Sequence, residues 1–284
     1  MPHADVFIQI NREYYHLTSA EKKIADHLLS KREESQLMSI SDLSQRAGVA
    51  EATVSRFCRR LGYKGYGAFK LAMASATLQG GPGPIYYGEA QGLDSIGEMC
   101  RKVCANDVDA ITQTLSLIRS DVLSQAADRL LASEKVLCMG QGGSMILAQE
   151  AAHLFSTALP NFYAVSDAHI QMMRAATLTE RDTVLYFSYS GSTRELVDVM
   201  KVVKDQGGSV ILITRFPNSP GAVQADMVLE CGSRETPLHL GSIAAKMGQL
   251  YIMDVLFNEV CRRNAEVCMD RRRQVASALA DMHL

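Results

Sequence analysis

Residues 183–193 read TVLYFSYSGST, an apolar run that passes without a break into a loop of hydroxyl side chains. Five consecutive β-branched, aromatic and apolar residues suit a strand covered on both faces. The pattern then changes to a period of 3.6, with Leu196, Met200 and Val203 on one side of a helix. Strand, short loop and helix in that order form the repeating unit of a parallel sheet. Four more runs share this character: Lys135 to Met139, Phe162 to Val165, Ser209 to Thr214 and Met227 to Cys231. Helical patterns separate the five, which predicts an α/β domain built on a five-stranded parallel sheet, with ligands at the carboxyl ends of its strands.

Two loops at those ends carry candidate chemistry. In Ser188-Tyr189-Ser190-Gly191-Ser192-Thr193 the hydroxyls of Ser188, Ser190, Ser192 and Thr193 and the backbone around Gly191 gather at the positive end of a helix dipole. Capping a helix needs one oxygen, so the remainder are available to an anion such as phosphate, and no acid inside the loop repels it. The other loop, Gly140-Gln141-Gly142-Gly143-Ser144, also links a strand to a helix. Met145 stands where a dinucleotide fingerprint needs its third glycine, so a nucleotide is not expected. Gly142, Gly143 and Ser144 fit a small polyol or a phosphate.

Toward the N-terminus the pattern changes at QGGPGPIYYGEAQG, residues 79–92, a glycine and proline cluster that neither helix nor central strand tolerates. Everything before it reads as helix, and the charge divides at the same place. Residues 1–75 hold 11 Lys and Arg against 8 Asp and Glu, while the whole chain of 284 residues carries a net charge of -2. Thr18 to Glu21 is a capping box, a second helix begins after Ser39, and Gly48 stands where a left-handed stop is wanted. A third helix runs from about Glu51 to Leu61. Two short helices about a glycine-containing turn make a helix-turn-helix. With Val54, Phe57, Cys58 and Leu61 inward, the outer face of the third helix presents Ala52, Thr53, Ser55, Arg56, Arg59 and Arg60, without an acid. Small residues, hydroxyls and guanidinium groups there suit a DNA groove, and Lys64, Tyr66 and Lys70 suit its phosphates.

The run from Ala52 to Tyr66, followed by Phe69-Lys70, resembles the helix-turn-helix of RpiR-type bacterial transcription regulators. The two hydroxyl loops resemble a sugar isomerase (SIS) domain. So do Asp167-Ala168-His169 with Gln171, Glu195, Ile213-Thr214, Ser219-Pro220, Ala225-Asp226 and the late helix from Ala245 to Phe257. Ala245 and Lys246 stand where that family often has Ser-Arg, and no ligand contact is assigned to them. The resemblance implies a helix-turn-helix domain over 1–78, a linker over 79–95, a helical lead-in over 96–127, a SIS domain over 128–268 and a terminal helix over 269–284. It further implies a transcription regulator that binds operator DNA and holds a phosphosugar effector at Ser144, Ser188, Ser190, Ser192 and Thr193.

A paired operator requires at least a homodimer or a homotetramer, and apolar residues beyond one helical stripe in Leu250 to Phe257 offer an interface, core packing being the other account of them. The alternative is a phosphosugar isomerase with a helical appendage. His169 and His239 would be its proton carriers, but no carboxylate partner is fixed for either, and they are not assigned as catalytic. The seven Cys form no C-x-x-C pair and read as reduced thiols, without a metal site or cofactor. No apolar run approaches the ~20 residues that span a bilayer, and a cytoplasmic protein with no membrane partner is expected.

Overall fold

A computed structural model describes residues 6–79, 94–232 and 242–280. The chain falls into two compact units, one containing residues 1–106 and the other residues 107–233 and 243–284. Most of the predicted linker, and His239, lie outside the described residues.

The first unit is helical: α1 (Val6–Glu13), a 3-10 turn (Tyr14–His16), α2 (Ser19–Ser30), α3 (Arg32–Ser35), α4 (Ile40–Ala47), α5 (Glu51–Arg60) and α6 (Tyr66–Gln79). Capping boxes start two of them. The Thr18 hydroxyl accepts from Glu21 N–H while the Glu21 carboxylate accepts from Thr18 N–H, and Ser39 and Asp42 repeat the exchange at α4. Gly48 ends α4 at φ +63°, a left-handed position, and its N–H bonds back to Gln45 and Ser44 carbonyls. Val54 and Phe57 of α5 close over Ile24, Leu28, Leu43, Phe69 and Met73, all fully buried. Phe69 meets Phe57 and Tyr63 edge to face with centroids 5.8 and 5.3 Å apart.

Sequence reading had not placed α1. It seals this core with Val6, Phe7 and Ile10, and Gln9 Nε2 donates to Leu61 O at the end of α5 (2.7 Å).

The second element group follows α7 (Ile96–Leu117) and α8 (Ser120–Ala132). It comprises β1 (Val136–Gly140), α9 (Gly143–Ser156), β2 (Phe162–Ala164), α10 (Ala168–Ala175), β3 (Thr183–Phe187), α11 (Arg194–Asp205), β4 (Ser209–Thr214), α12 (Pro220–Gln224), β5 (Met227–Glu230), α13 (Ile243–Arg263) and α14 (Ala265–Ala280). All four strand pairings are parallel, in the order β2-β1-β3-β4-β5. Alternate strand residues divide between two cores. Val136, Cys138, Leu185, Phe187, Ile211 and Ile213 pack under α8, α9 and α13. Leu137, Met139, Val184, Tyr186, Val210 and Leu212 pack under α10, α11 and α12. The result is three layers, helix, sheet and helix.

Ile252, Met253, Leu256 and Phe257 of α13 are buried in the domain's own core. Core packing accounts for these four, while Leu250, Tyr251 and Val255 of the same stretch are only half-buried.

Candidate functional site

The strand order reverses between β1 and β3, and the crevice outside the carboxyl ends of such a pair is where parallel sheets hold ligands. Gly140 pairs in register with Phe187, so the two hydroxyl loops leave the sheet side by side. A β-carbon on Gly140 would come within 2.7 Å of Ser144 O, so the bare glycine lets the first turn of α9 fold back onto the strand end. Gly142 caps α9 at φ +53°, and Ser144 is half-buried in that helix's first turn.

In the second loop the four hydroxyls do different work. Ser188 is buried and its Oγ accepts from Gly191 N–H (3.1 Å); Ser192 Oγ donates to Ser190 O (2.9 Å). These two brace the loop. Ser190 Oγ accepts from Ser192 N–H (3.3 Å) and keeps its own proton free to donate. Thr193 occupies the N-cap of α11 but makes no side-chain cap bond, and its Oγ1, shielded from solvent, has no hydrogen-bond partner. A shielded hydroxyl in that state costs about 1–3 kcal/mol.

Gly191 makes the turn at φ +60°, wedged against Ser219 and Thr214. Tyr189 O accepts from Thr214 Oγ1 and from Arg215 N–H, both at 3.1 Å, which ties the loop to the end of β4. The crevice can therefore present donors to an anion from Ser190, Thr193 and the α11 N-terminus.

One cation joins it that sequence reading had set aside. Lys246, in the first turn of α13, lies against Gly143, where a β-carbon would be 3.5 Å from its Cε and 3.8 Å from its Nζ. A single Lys about a hundred residues downstream has no local signature, so only the fold reveals this approach. His169, by contrast, is exposed near the start of α10, and among the described residues no carboxylate forms an ion pair with it.

In the helical unit, Arg56, Arg59, Lys64 and Ala52 are exposed, and Thr53 and Ser55 half-exposed, on the outer side of α5 and just beyond it. Arg56 Nη2 donates to Thr53 Oγ1 (3.3 Å), and no described carboxylate pairs with Arg56 or Arg59. Glu51, the one acid nearby, accepts from Ser41 Oγ. Arg60 is engaged elsewhere: its guanidinium meets Glu21 Oε2 (2.9 Å) and His16 O (2.5 Å). Tyr66 OH donates to Met38 O (3.0 Å) and Lys70 Nζ to Leu37 O (3.4 Å). Arg60, Tyr66 and Lys70 thus serve bonds inside the domain. Burial works against an ionised Glu21, but the Thr18 N–H and hydroxyl and the Arg60 guanidinium outweigh it and hold its carboxyl below the usual range.

These features define a helix-turn-helix domain joined to a SIS-fold domain. The chain matches the helix-turn-helix domain of the rpiR family over residues 5–80 and the SIS domain over residues 129–259. It is 30% identical over 261 residues to an uncharacterized HTH-type transcriptional regulator of Thermotoga maritima, covering 92% of this chain and 93% of that one. It is 29% identical to the HTH-type transcriptional regulator HexR of Pseudomonas aeruginosa, covering 95% and 94%. Among solved structures, the Vibrio vulnificus NanR protein complexed with ManNAc-6P superposes with a TM-score of 0.89 at 25% identity, covering 98% of this chain and 99% of that one. The chain belongs to the RpiR family of helix-turn-helix transcriptional regulators.

Proposed function

We propose that this regulator reads a two-fold operator with Thr53, Ser55, Arg56, Arg59 and Lys64, and that its SIS domain senses a phosphorylated sugar in the crevice between Gly140–Ser144 and Ser188–Thr193. The single observation that carries the sensing role is Thr193. A helix cap whose hydroxyl is shielded, unpartnered and unused for capping is one that an anion at the α11 N-terminus would complete. Ser190 lies in the same loop, Ser144 and Lys246 lie at the neighbouring Gly140–Ser144 loop, and the similar NanR protein is complexed with ManNAc-6P.

The role is sensing rather than turnover, in keeping with relatives described as regulators and with an exposed, unpaired His169. The domain division is as the sequence suggests, 1–78 for reading and 128–268 for sensing. The assembly is a homodimer or homotetramer acting in the cytoplasm, because paired half-sites need paired heads. Effector binding biases one arrangement of the assembly and so changes operator affinity.

A thermal-shift screen of sugar phosphates tests the sensing role. A sugar phosphate at 100 times its dissociation constant stabilises the folded state by about 2.7 kcal/mol, and Ser190→Ala with Thr193→Val abolishes the shift. Steady turnover of a sugar phosphate by the isolated protein would instead favour an isomerase.

A further inference from the structure

The first loop contains an amide whose orientation the fold fixes. Gln171 is fully buried, and its Nε2 donates to Val165 O (2.7 Å) and to Gly140 O (3.0 Å), just beyond β2 and at the end of β1. With both protons committed, its Oε1 is left to accept, and it does so from Gln141 Nε2 (2.9 Å). The Gln141 amide is thereby oriented, with its other N–H toward Tyr186 and its Oε1 unspent. Gln141 is half-exposed in the loop beside Ser188–Thr193.

Beneath it lies Tyr186 of β3. The ring is fully buried and its hydroxyl makes no well-formed hydrogen bond; the Gln141 amide N–H lies toward its oxygen, and the Glu195 carboxylate also acts on it. An aromatic residue in a strand core needs no hydroxyl for packing, and leaving one unpaired is costly.

We propose that Gln141 is the specificity-determining residue of the effector site, its free Oε1 accepting from a hydroxyl of the sugar skeleton, with Gln171 and Tyr186 as positioning residues. This rests on the phosphosugar reading above and deepens it. Hydroxyls at a helix N-terminus grip a phosphate without sensing what carries it. A fixed amide at the neighbouring strand end, set off from the phosphate grip, can sense the carrier. With one amide proton on Gln171 Oε1 and the other toward Tyr186, Gln141 Oε1 is left to the sugar hydroxyl.

The test is titration calorimetry on the full chain with hexose 6-phosphates, N-acetylhexosamine 6-phosphates, pentose 5-phosphates and inorganic phosphate. For the sugar phosphate that binds wild type best, Gln141→Leu is expected to weaken binding at least 10-fold and Tyr186→Phe 3- to 10-fold. Both keep inorganic phosphate within twofold, which also reports that the site is folded. Unchanged sugar-phosphate affinity in Gln141→Leu overturns the inference, as does an equal loss for sugar phosphate and inorganic phosphate. Wild type that gives no heat with any sugar phosphate overturns the phosphosugar reading itself, and that failure is visible before any substitution is made.

Discussion

A β-carbon placed on Gly191 would overlap the Ser219 hydroxyl and stand 2.7 Å from Ser219 Cβ and 3.0 Å from Thr214 Oγ1. The Ser188–Thr193 loop is thus pressed against the start of α12, and Gly221 N–H donates to Gly191 O (2.9 Å) across the same contact. Gly191→Ala adds both left-handed strain and a clash, together about 2–4 kcal/mol. A domain of this size should melt several degrees lower. Ser219→Gly in the same chain should recover part of the loss by removing the overlapping atoms, which differential scanning calorimetry of the two variants would show.

Thr193→Val should have opposite effects on the empty and the occupied protein. Without effector it removes an unpartnered hydroxyl, so the melting temperature should hold or rise. With a sugar phosphate present, affinity should fall by about 10-fold, one charge-assisted hydrogen bond. A fall in both would mean that the hydroxyl supports the fold and not the ligand.

On the reading helix, Arg56→Ala and Arg59→Ala should each weaken operator binding by about 1–3 kcal/mol with an unchanged melting temperature. Arg60→Ala should do the reverse in emphasis, lowering stability through the lost links to Glu21 and His16. Fluorescence anisotropy with operator DNA at several salt concentrations, beside thermal melts, separates the two kinds of arginine.

Glu21 gives the helical domain an acid limit. Its carboxyl titrates lower folded than unfolded, so its contribution is present above the unfolded value near 4.5 and is lost as the pH falls through the folded value below it. Melts of the full chain between pH 3 and 6, followed at the helical domain, should show stability declining toward acid, and Glu21→Gln should flatten that decline.

Strand runs and glycine stops were legible because they are written in neighbouring residues. The runs predicted at Thr183–Phe187 and Ser209–Thr214 coincide with β3 and β4, those for β2 and β5 run one residue long, that for β1 is shifted by one residue, and Gly48 adopts its left-handed turn. What escaped depends on distance in sequence. Arg60 looked like its neighbours Arg56 and Arg59 because Glu21, 39 residues away, is invisible to a helical wheel. Lys246 was passed over because nothing near it announces Gly143. The apolar excess of α13 left two accounts open because periodicity cannot tell a helix buried on several sides from one awaiting a second subunit. In the 188–193 loop the cluster was visible, but the division between bracing Ser188 and Ser192 and unsatisfied Thr193 required the fold.

Arg60, locked onto Glu21 and His16, separates scaffold from message within a single helix. Arg60 is exposed, yet its guanidinium is spent on bonds to other parts of the domain, while Thr53, Ser55, Arg56 and Arg59 bear no comparable burden. A descendant of this protein could adopt a new operator by exchanging those four side chains alone, inheriting a ready-made frame, and an engineer seeking altered target choice should randomise them and leave position 60 untouched.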